Sequence, residues 1–152
     1  MTAKTDPASL PPNIQAILRK PSPASRYLGL EFLECDKEKG FIKVAYHASD
    51  QLCNLWGGIH GGMVAAMMDD VLALVFGLTL EWGQITPTLE LKTSYLNAAR
   101  PGRILGEAVI LRRGKSVSFA EATLHNDQGE LLAKASATAS VVTLKRKDEK
   151  SA

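Results

Sequence analysis

The sequence predicts an α+β domain in which an antiparallel sheet wraps one long central helix. Three observations point to it. The run from Met63 to Phe76, about twenty residues with its flanks, is too long for a strand and apolar on every side, so it reads as a single buried helix. Two extended segments precede it and four follow it, separated by turn signals. A lone helix of this kind beside antiparallel strands buries its whole surface only where the sheet curls around it.

Taken in order, Pro11 and Pro12 open a short helix over Asn13 to Lys20, and Pro21 and Pro23 stop it. Residues 1–27 thus form an N-terminal segment, a candidate lid. From Leu28 to His47 the chain is extended, with Phe41, Val44 and Tyr46 alternating in part against Lys43 and Ala45. Gly40, after the charged stretch Asp36-Lys37-Glu38-Lys39, marks the hairpin turn. The glycine-rich stretch Gly57 to Gly62 leads into the helix, which is expected to end near Gly83. The remaining strands are placed at Ile85 to Leu96, Ile104 to Leu111, Val117 to His125 and Leu131 to Thr143. Between them stand the turn signals Arg100-Pro101-Gly102, Arg113-Gly114-Lys115 and Asn126-Asp127-Gln128-Gly129. The folded domain is placed at residues 28–144, followed by a charged tail at 145–152.

A chain of 152 residues with 45% hydrophobic content suits one domain. The net charge is +2 with acids and bases interspersed, which argues against nucleic acid as a partner. Cys35 and Cys53 form neither a CxxC pair nor a cluster with metal-ligand spacing, so they read as reduced thiols, and neither a metal nor a redox cofactor is expected. Residues 1–7 lack the apolar stretch of a signal peptide and no apolar run reaches membrane-spanning length, which predicts a soluble cytoplasmic protein with no membrane partner.

The ionisable residues of the apolar run are Asp69 and Asp70, adjacent and far from the first turn, where a carboxylate would complement the helix dipole. Burying an unpaired carboxylate costs several kcal/mol, so each needs a partner, a wet cleft or a chemical task. Adjacent helix positions differ by about 100°, so the two need not share surroundings. The face of Asp69 carries Gly62, Ala65, Ala66 and Ala73 together with Leu72 and Phe76, the small residues leaving room for a substrate or another backbone, whereas Asp70, among Ala66, Met67, Ala73 and Leu74, is slightly more crowded. Asp69 is therefore the candidate functional carboxylate, the other reading being a hydrogen-bonded structural one. The glycine run supplies backbone N–H groups at a helix N-terminus, suited to an oxyanion; equally, it would let a tight loop approach closely. His60 has no serine or cysteine nucleophile signalled beside it and reads as a loop-orienting residue.

The stretch Asn54-Leu55-Trp56-Gly57-Gly58-Ile59-His60-Gly61-Gly62, with Asp69 nine positions after His60, resembles the PaaI-type acyl-CoA thioesterases of the hotdog superfamily. The resemblance continues through Thr88, Tyr95, Pro101-Gly102, Gly114-Lys115 and Gly129 to Ala133, covering roughly residues 45 to 143. It implies the hotdog fold and hydrolysis of an acyl- or aryl-acyl-CoA, as in phenylacetic acid degradation. It also implies Asp69 as general base or nucleophile, Gly61 as backbone donor to the thioester oxygen, Asn54 as its support, Thr88 as holder of the attacking water, and His60 in the same loop. A homodimer or homotetramer with the site at the subunit interface is implied as well.

For the coenzyme phosphates the candidates are Gly62 and the hairpin Arg112, Arg113, Gly114, Lys115 and Ser116, with Arg100 and Arg103 completing the densest basic cluster; a solvated hairpin end is the plainer reading. Gly114-Lys115-Ser116 is not a nucleotide loop, because Val109 stands where that motif needs glycine. Two rival readings remain: a hotdog dehydratase or hydratase, and a non-catalytic acyl-CoA binding module.

Overall fold

The computed structural model describes residues 9–145. The N-terminal and C-terminal extremes of the expected lid segment and charged tail, residues 1–8 and 146–152, lie outside the described residues. The elements are α1 (Pro12–Arg19), α2 (Pro23–Tyr27), β1 (Leu30–Asp36), β2 (Phe41–Ala48), α3 (Gly61–Gly77), β3 (Gln84–Ile85), β4 (Thr88–Tyr95), β5 (Gly102–Arg113), β6 (Val117–Asn126), β7 (Leu131–Ser140) and β8 (Val142–Thr143). Six strands form one antiparallel sheet in the order β1-β2-β5-β6-β7-β4. Helix α3 packs against β2, β4, β5, β6 and β7. This is the expected hotdog arrangement of a sheet wrapped on one helix.

Side-chain size explains how the helix is accommodated. Val64, Met67, Met68, Val71, Leu72, Leu74, Val75 and Phe76 are all buried, so the helix presents bulk in most directions. The strands beneath it present alanines: Ala120 pairs Ala137 and Ala122 pairs Ala135, all buried, and Ala133 and Ala139 continue the row. Large residues on one layer against small ones on the other let helix and sheet approach closely. Gly106 belongs to the same surface, since a Cβ there would come within 3.1 Å of Val44 and 3.2 Å of Leu124.

The sequence boundaries hold except at prolines and glycines. Pro23 does not merely stop α1; it opens α2 at a first-turn position, with the Ser22 hydroxyl accepting the Ser25 N–H at 3.0 Å. The central helix stops at Gly77, short of the expected Gly83, where the Leu78 N–H turns back to the Val75 carbonyl and the Thr79 hydroxyl donates to the Phe76 carbonyl. Ile85 to Leu96 is two strands, because Pro87 has no N–H to give a ladder. Its first part, β3, pairs instead with β8, which splits the last expected strand at Val141.

Helix α1 lies over the far end of α3. Ile14 is fully buried and would sit 3.4 Å from a Cβ on Gly77, and the Asn13 side chain donates to the Leu80 carbonyl at 2.8 Å. The candidate lid segment is thus seated in the core through Leu10 and Ile14. Among the described residues no helix is long and apolar enough to cross a membrane. Truncating Ile14→Ala is expected to cost about 2–4 kcal/mol in chemical denaturation, the loss typical of a deleted core side chain; a loss below about 0.5 kcal/mol would mean that α1 rides on the surface.

Candidate active site

The loop leading into α3 is held by its own hydrogen bonds. Asn54 N–H donates to the Gly58 carbonyl at 2.7 Å, and the Asn54 Oδ1 accepts from the N–H groups of Trp56 and Gly58 at 2.9 and 3.3 Å. Ile59 N–H donates to the Ala99 carbonyl and His60 N–H to the Leu52 carbonyl, both at 2.8 Å. His60 is the N-cap of α3, its Nδ1 accepting the Gly62 N–H at 2.9 Å. That bond leaves Nδ1 without a proton, so the neutral ring carries its hydrogen on Nε2.

Each glycine of the loop can be asked what its missing Cβ spares. Gly57 has φ +78°, a conformation side chains disfavour. A Cβ on Gly58 would lie 3.3 Å from the Ala99 carbonyl, and one on Gly62 would press to 3.1 Å on the His60 ring. At Gly61 the φ is not positive, and a Cβ would meet only the Tyr95 ring at 3.5 Å, an ordinary contact. The fold accounts for three of the four glycines and leaves Gly61 without a steric reason.

The first-turn donors show the same asymmetry. Met63 and Val64 give their N–H groups to the His60 carbonyl, and Gly62 gives its own to His60 Nδ1, while the Gly61 N–H has no acceptor among the described residues. Gly61 lines a cavity of about 340 Å³ together with Asn54, Val64 and Tyr95, and the Asn54 Nδ2 likewise has no acceptor there. A helix N-terminus with an open N–H beside a free amide is suited to an anionic oxygen.

Asp69 sits two turns further along α3, half-buried, with its Oδ1 accepting the Thr88 hydroxyl at 2.8 Å. A β-bulge creates this contact. On β4 the residues Leu91, Thr93 and Tyr95 face α3, opposite the buried Ala137, Ala135 and Ala133, and strict alternation would turn Thr88 outward with Glu90 and Lys92. The ladder skips Leu89, so Thr88 pairs with the buried Ala139 and points to the helix.

The structure brings Asn54, His60, Gly61 and Gly62 together at one end of α3 and joins Asp69 to Thr88 at its middle. It does not bring the two groups to one point: Asp69 is eight positions after Gly61, about 12 Å along the axis. The basic residues divide too. Arg112, Arg113, Gly114, Lys115 and Ser116 form the β5–β6 hairpin, where Arg113 and Lys115 line a cavity of about 320 Å³ with Glu81 and Gln84. Arg100 and Arg103 lie at the opposite end of β5, about 33 Å from Arg113 along an extended strand, so the expected single cluster is two; Arg103 is drawn to Asp127 and Glu31. Tyr95, left out of the expected site residues, donates its hydroxyl to the Gly61 carbonyl at 2.9 Å.

Residues 57–133 match the family described as the thioesterase superfamily. The chain belongs to that superfamily. The medium/long-chain acyl-CoA thioesterase YigI of Salmonella typhimurium is 30% identical over 131 residues, covering 76% of this chain and 83% of the relative. A phenylacetic acid degradation-related protein of Ralstonia eutropha JMP134 superposes with a TM-score of 0.79 at 37% identity, covering 84% of this chain and 98% of that one. The PaaI protein of Escherichia coli gives a TM-score of 0.77 over 88% of this chain and 94% of its own, and at 18% identity bears on the fold alone. The expected resemblance, the hotdog fold and a thioester hydrolase all agree with these matches.

In this thioesterase domain Asp70 has surroundings quite unlike those of Asp69. Its Oδ1 accepts the Ser25 hydroxyl at 2.7 Å, and its Oδ2 lies 3.1 Å from the Tyr46 hydroxyl, which is also 3.0 Å from the Met67 carbonyl. The single Tyr46 hydroxyl proton is shared between these two acceptors, the Asp70 carboxyl and the Met67 carbonyl. Burial pushes the Asp70 carboxyl above its ordinary value, with the charge of Asp69 adding to the rise and the two hydrogen bonds opposing it. Burial, and then Asp70, push the Tyr46 phenol well above its own.

Stability follows from the sign. Between the ordinary and the raised carboxyl value the folded chain keeps a proton that the unfolded chain has lost, so this contribution is fullest below the ordinary value and declines as pH rises through the window. Asparagine at 70 can accept from Ser25 and donate to Tyr46, leaving the Tyr46 hydroxyl for the Met67 carbonyl, and it does not titrate. Asp70→Asn is expected to fold and to flatten that decline in thermal melts taken from about pH 4 to 7; an unchanged slope would place the titrating group elsewhere.

Proposed function

We propose that this protein hydrolyses acyl-CoA thioesters at a site shared by two copies of the chain, Asp69 acting from one and the Gly61 N–H from the other. The observation that carries the reading is Gly61: an unpaired N–H at a helix N-terminus, facing a cavity, on a glycine the fold does not otherwise require. Thioester attack needs a base or nucleophile at the carbonyl carbon and a donor aimed at the oxyanion, both within about 3 Å of the reacting group. The rise of about 12 Å between Gly61 and Asp69 along the helix argues against one chain serving both roles.

Strand β4 supports a pairing that closes the gap. It ends the sheet with a free edge, and Leu89, Tyr95 and Leu96 beside it are 60%, 55% and 52% exposed. An antiparallel β4–β4 pair about a two-fold axis at Lys92 sets Leu91 opposite Thr93 and, because Leu89 is bulged out, Thr88 of one copy opposite Tyr95 of the other, at about 5 Å. Asp69 is bonded to Thr88 and Gly61 to Tyr95, so the carboxylate of one copy comes beside the open N–H of its mate. The Thr88 bond occupies one carboxylate oxygen; the other is free to take a proton from the attacking water or to attack the carbonyl itself. The oxyanion is received by Gly61, with Asn54 beside it, and its collapse expels the CoA thiolate; after direct attack by Asp69 the acyl–aspartyl anhydride that remains is hydrolysed by water, releasing the acid and the carboxylate.

Arg113 stands in the row Arg113–Ser118–Ala139–Thr88 across the sheet, on the Asp69 side, and neither it nor Lys115 is in an ion pair among the described residues. These two cations are our candidates for the coenzyme phosphates, and neutralising both is expected to raise KM for acyl-CoA with kcat little changed. For the acyl group, the name of YigI and the description of the Ralstonia eutropha protein recommend medium- and long-chain acyl-CoA together with phenylacetyl-CoA.

The decisive experiment uses Gly61→Pro. Proline is favoured at the first helical position, and the His60 backbone (φ −58°, ψ 134°) suits the residue before it, so the fold is kept while one N–H is removed. With release of CoA thiol as the readout, Gly61→Pro is expected to lower kcat about 10²–10³-fold, and Asp69→Asn to abolish turnover. Mixed and allowed to exchange subunits, the two variants recover about a quarter of wild-type activity, because each mixed dimer holds one intact site. No recovery despite exchange would overturn the shared site, and a wild type inactive on every thioester would overturn the enzyme assignment.

A further inference from the structure

The peptide linking Gly61 to Gly62 is gripped at both ends by side chains. Its carbonyl accepts the Tyr95 hydroxyl at 2.9 Å, and its N–H donates to His60 Nδ1 at 2.9 Å. The preceding peptide, which bears the open Gly61 N–H, is fixed only through its carbonyl, which accepts from Met63 at 2.8 Å and Val64 at 3.1 Å. Across a trans peptide the N–H points opposite to the carbonyl, so the Gly61 N–H is aimed out of the helix end. Glycine is the residue whose backbone is least restrained by its own side chain, and at the helix start no hydrogen bond ties this N–H down. The gripped peptide is therefore a second fixed point for the open donor, on its Gly62 side, beside the anchored His60 carbonyl.

We infer that Tyr95 is a positioning residue for the Gly61 N–H, clamping the Gly61–Gly62 peptide against His60 so that the donor keeps one direction. The inference rests on the proposed thioesterase reading and extends it to a residue that acts through another. Two features support it besides the distances. The Tyr95 ring lies 3.5–3.6 Å from where a Gly61 Cβ would stand, so it covers the flank of that residue and lines the cavity the N–H opens into. Gly62 supplies the space the other half of the clamp needs, since a Cβ there would press on the His60 ring. In the paired arrangement proposed above, Tyr95 also faces Thr88 of the second copy, so one residue aims the donor and meets the strand that holds the carboxylate.

The test compares Tyr95→Phe, His60→Asn and His60→Ala with the wild type, by steady-state kinetics on acyl-CoA and by amide hydrogen exchange in ¹⁵N-glycine-labelled protein. Phenylalanine keeps the ring and removes only the bond. Tyr95→Phe is expected to lower kcat about ten- to a hundredfold with KM within about twofold, as a misaimed group does, and to speed exchange at Gly62. Asparagine, a good N-cap, is expected to keep most of the His60 function, and alanine to lose it. Wild-type kcat in Tyr95→Phe, or unchanged Gly62 exchange, would overturn the clamp. If the wild type itself turns over no thioester, the thioesterase reading has failed and the positioning role falls with it, an outcome distinct from an active wild type whose Tyr95→Phe variant is equally active.

Discussion

An α-helix rises about 1.5 Å per residue, and this fixes what α3 can do. Its N-terminus presents the Gly61 N–H and its middle presents Asp69, and the helix keeps the two about 12 Å apart whatever the rest of the chain does. Strand β4 runs beside both, bonded to Asp69 through Thr88 and to Gly61 through Tyr95. The strand thus converts a separation along the helix into a register along a sheet edge. A register is something a second copy can match, and a one-residue slip would turn every side chain of the edge to the wrong face. The unpaired edge of β4, a liability in a monomer, would in the proposed pair set the spacing of Asp69 and Gly61.

The adjacent carboxylates show how position in the sheet decides chemistry. Asp70 faces β2, inside the sheet, where Tyr46 is fully buried and Ser25 of α2 closes the pocket from the other side. Every oxygen there has a partner, and burial favours the neutral acid. Asp69 faces β4, at the margin, where a hydroxyl occupies one oxygen and the other is left open. About 100° of helix rotation separates an enclosed acid from one with an open oxygen. The core on which both depend is built from size contrast: bulky residues on α3 and alanines on β6 and β7, so that the helix lies close enough for Tyr46 to reach the Met67 carbonyl.

Much of this was legible in the residues, for identifiable reasons. The central helix announced itself because an apolar run of that length has no other stable solution, and the strands because their turns are marked by glycine, proline and asparagine. What escaped was whatever depends on pairing. Alternation alone puts Thr88 on the outer face of β4, and only the bulge at Leu89 brings it to Asp69; the resemblance named Thr88 where periodicity could not. The basic residues cluster in sequence, but a twelve-residue strand carries Arg103 and Arg113 to opposite ends of the domain. Pro23 reads as a stop after α1, yet in the first turn of a helix its missing N–H costs nothing, and Ser22 supplies the cap that lets α2 begin there. Tyr95 lay within the resemblance but without a role, since its hydrogen bond spans 34 positions of sequence.

The glycines before α3 make the last step. A glycine-rich loop has two explanations, tight backbone and reactive backbone, and composition cannot choose between them. Geometry chooses residue by residue. Gly57 answers to its positive φ, Gly58 to the Ala99 carbonyl and Gly62 to the His60 ring. Gly61 answers to none of these, although alanine would suit a helical position better by up to about 1 kcal/mol. A residue that forgoes helix propensity, leaves its N–H unpaired and keeps open space in front of it is what an oxyanion donor requires. The three conditions meet at one position of four, and that position is the one Tyr95 holds.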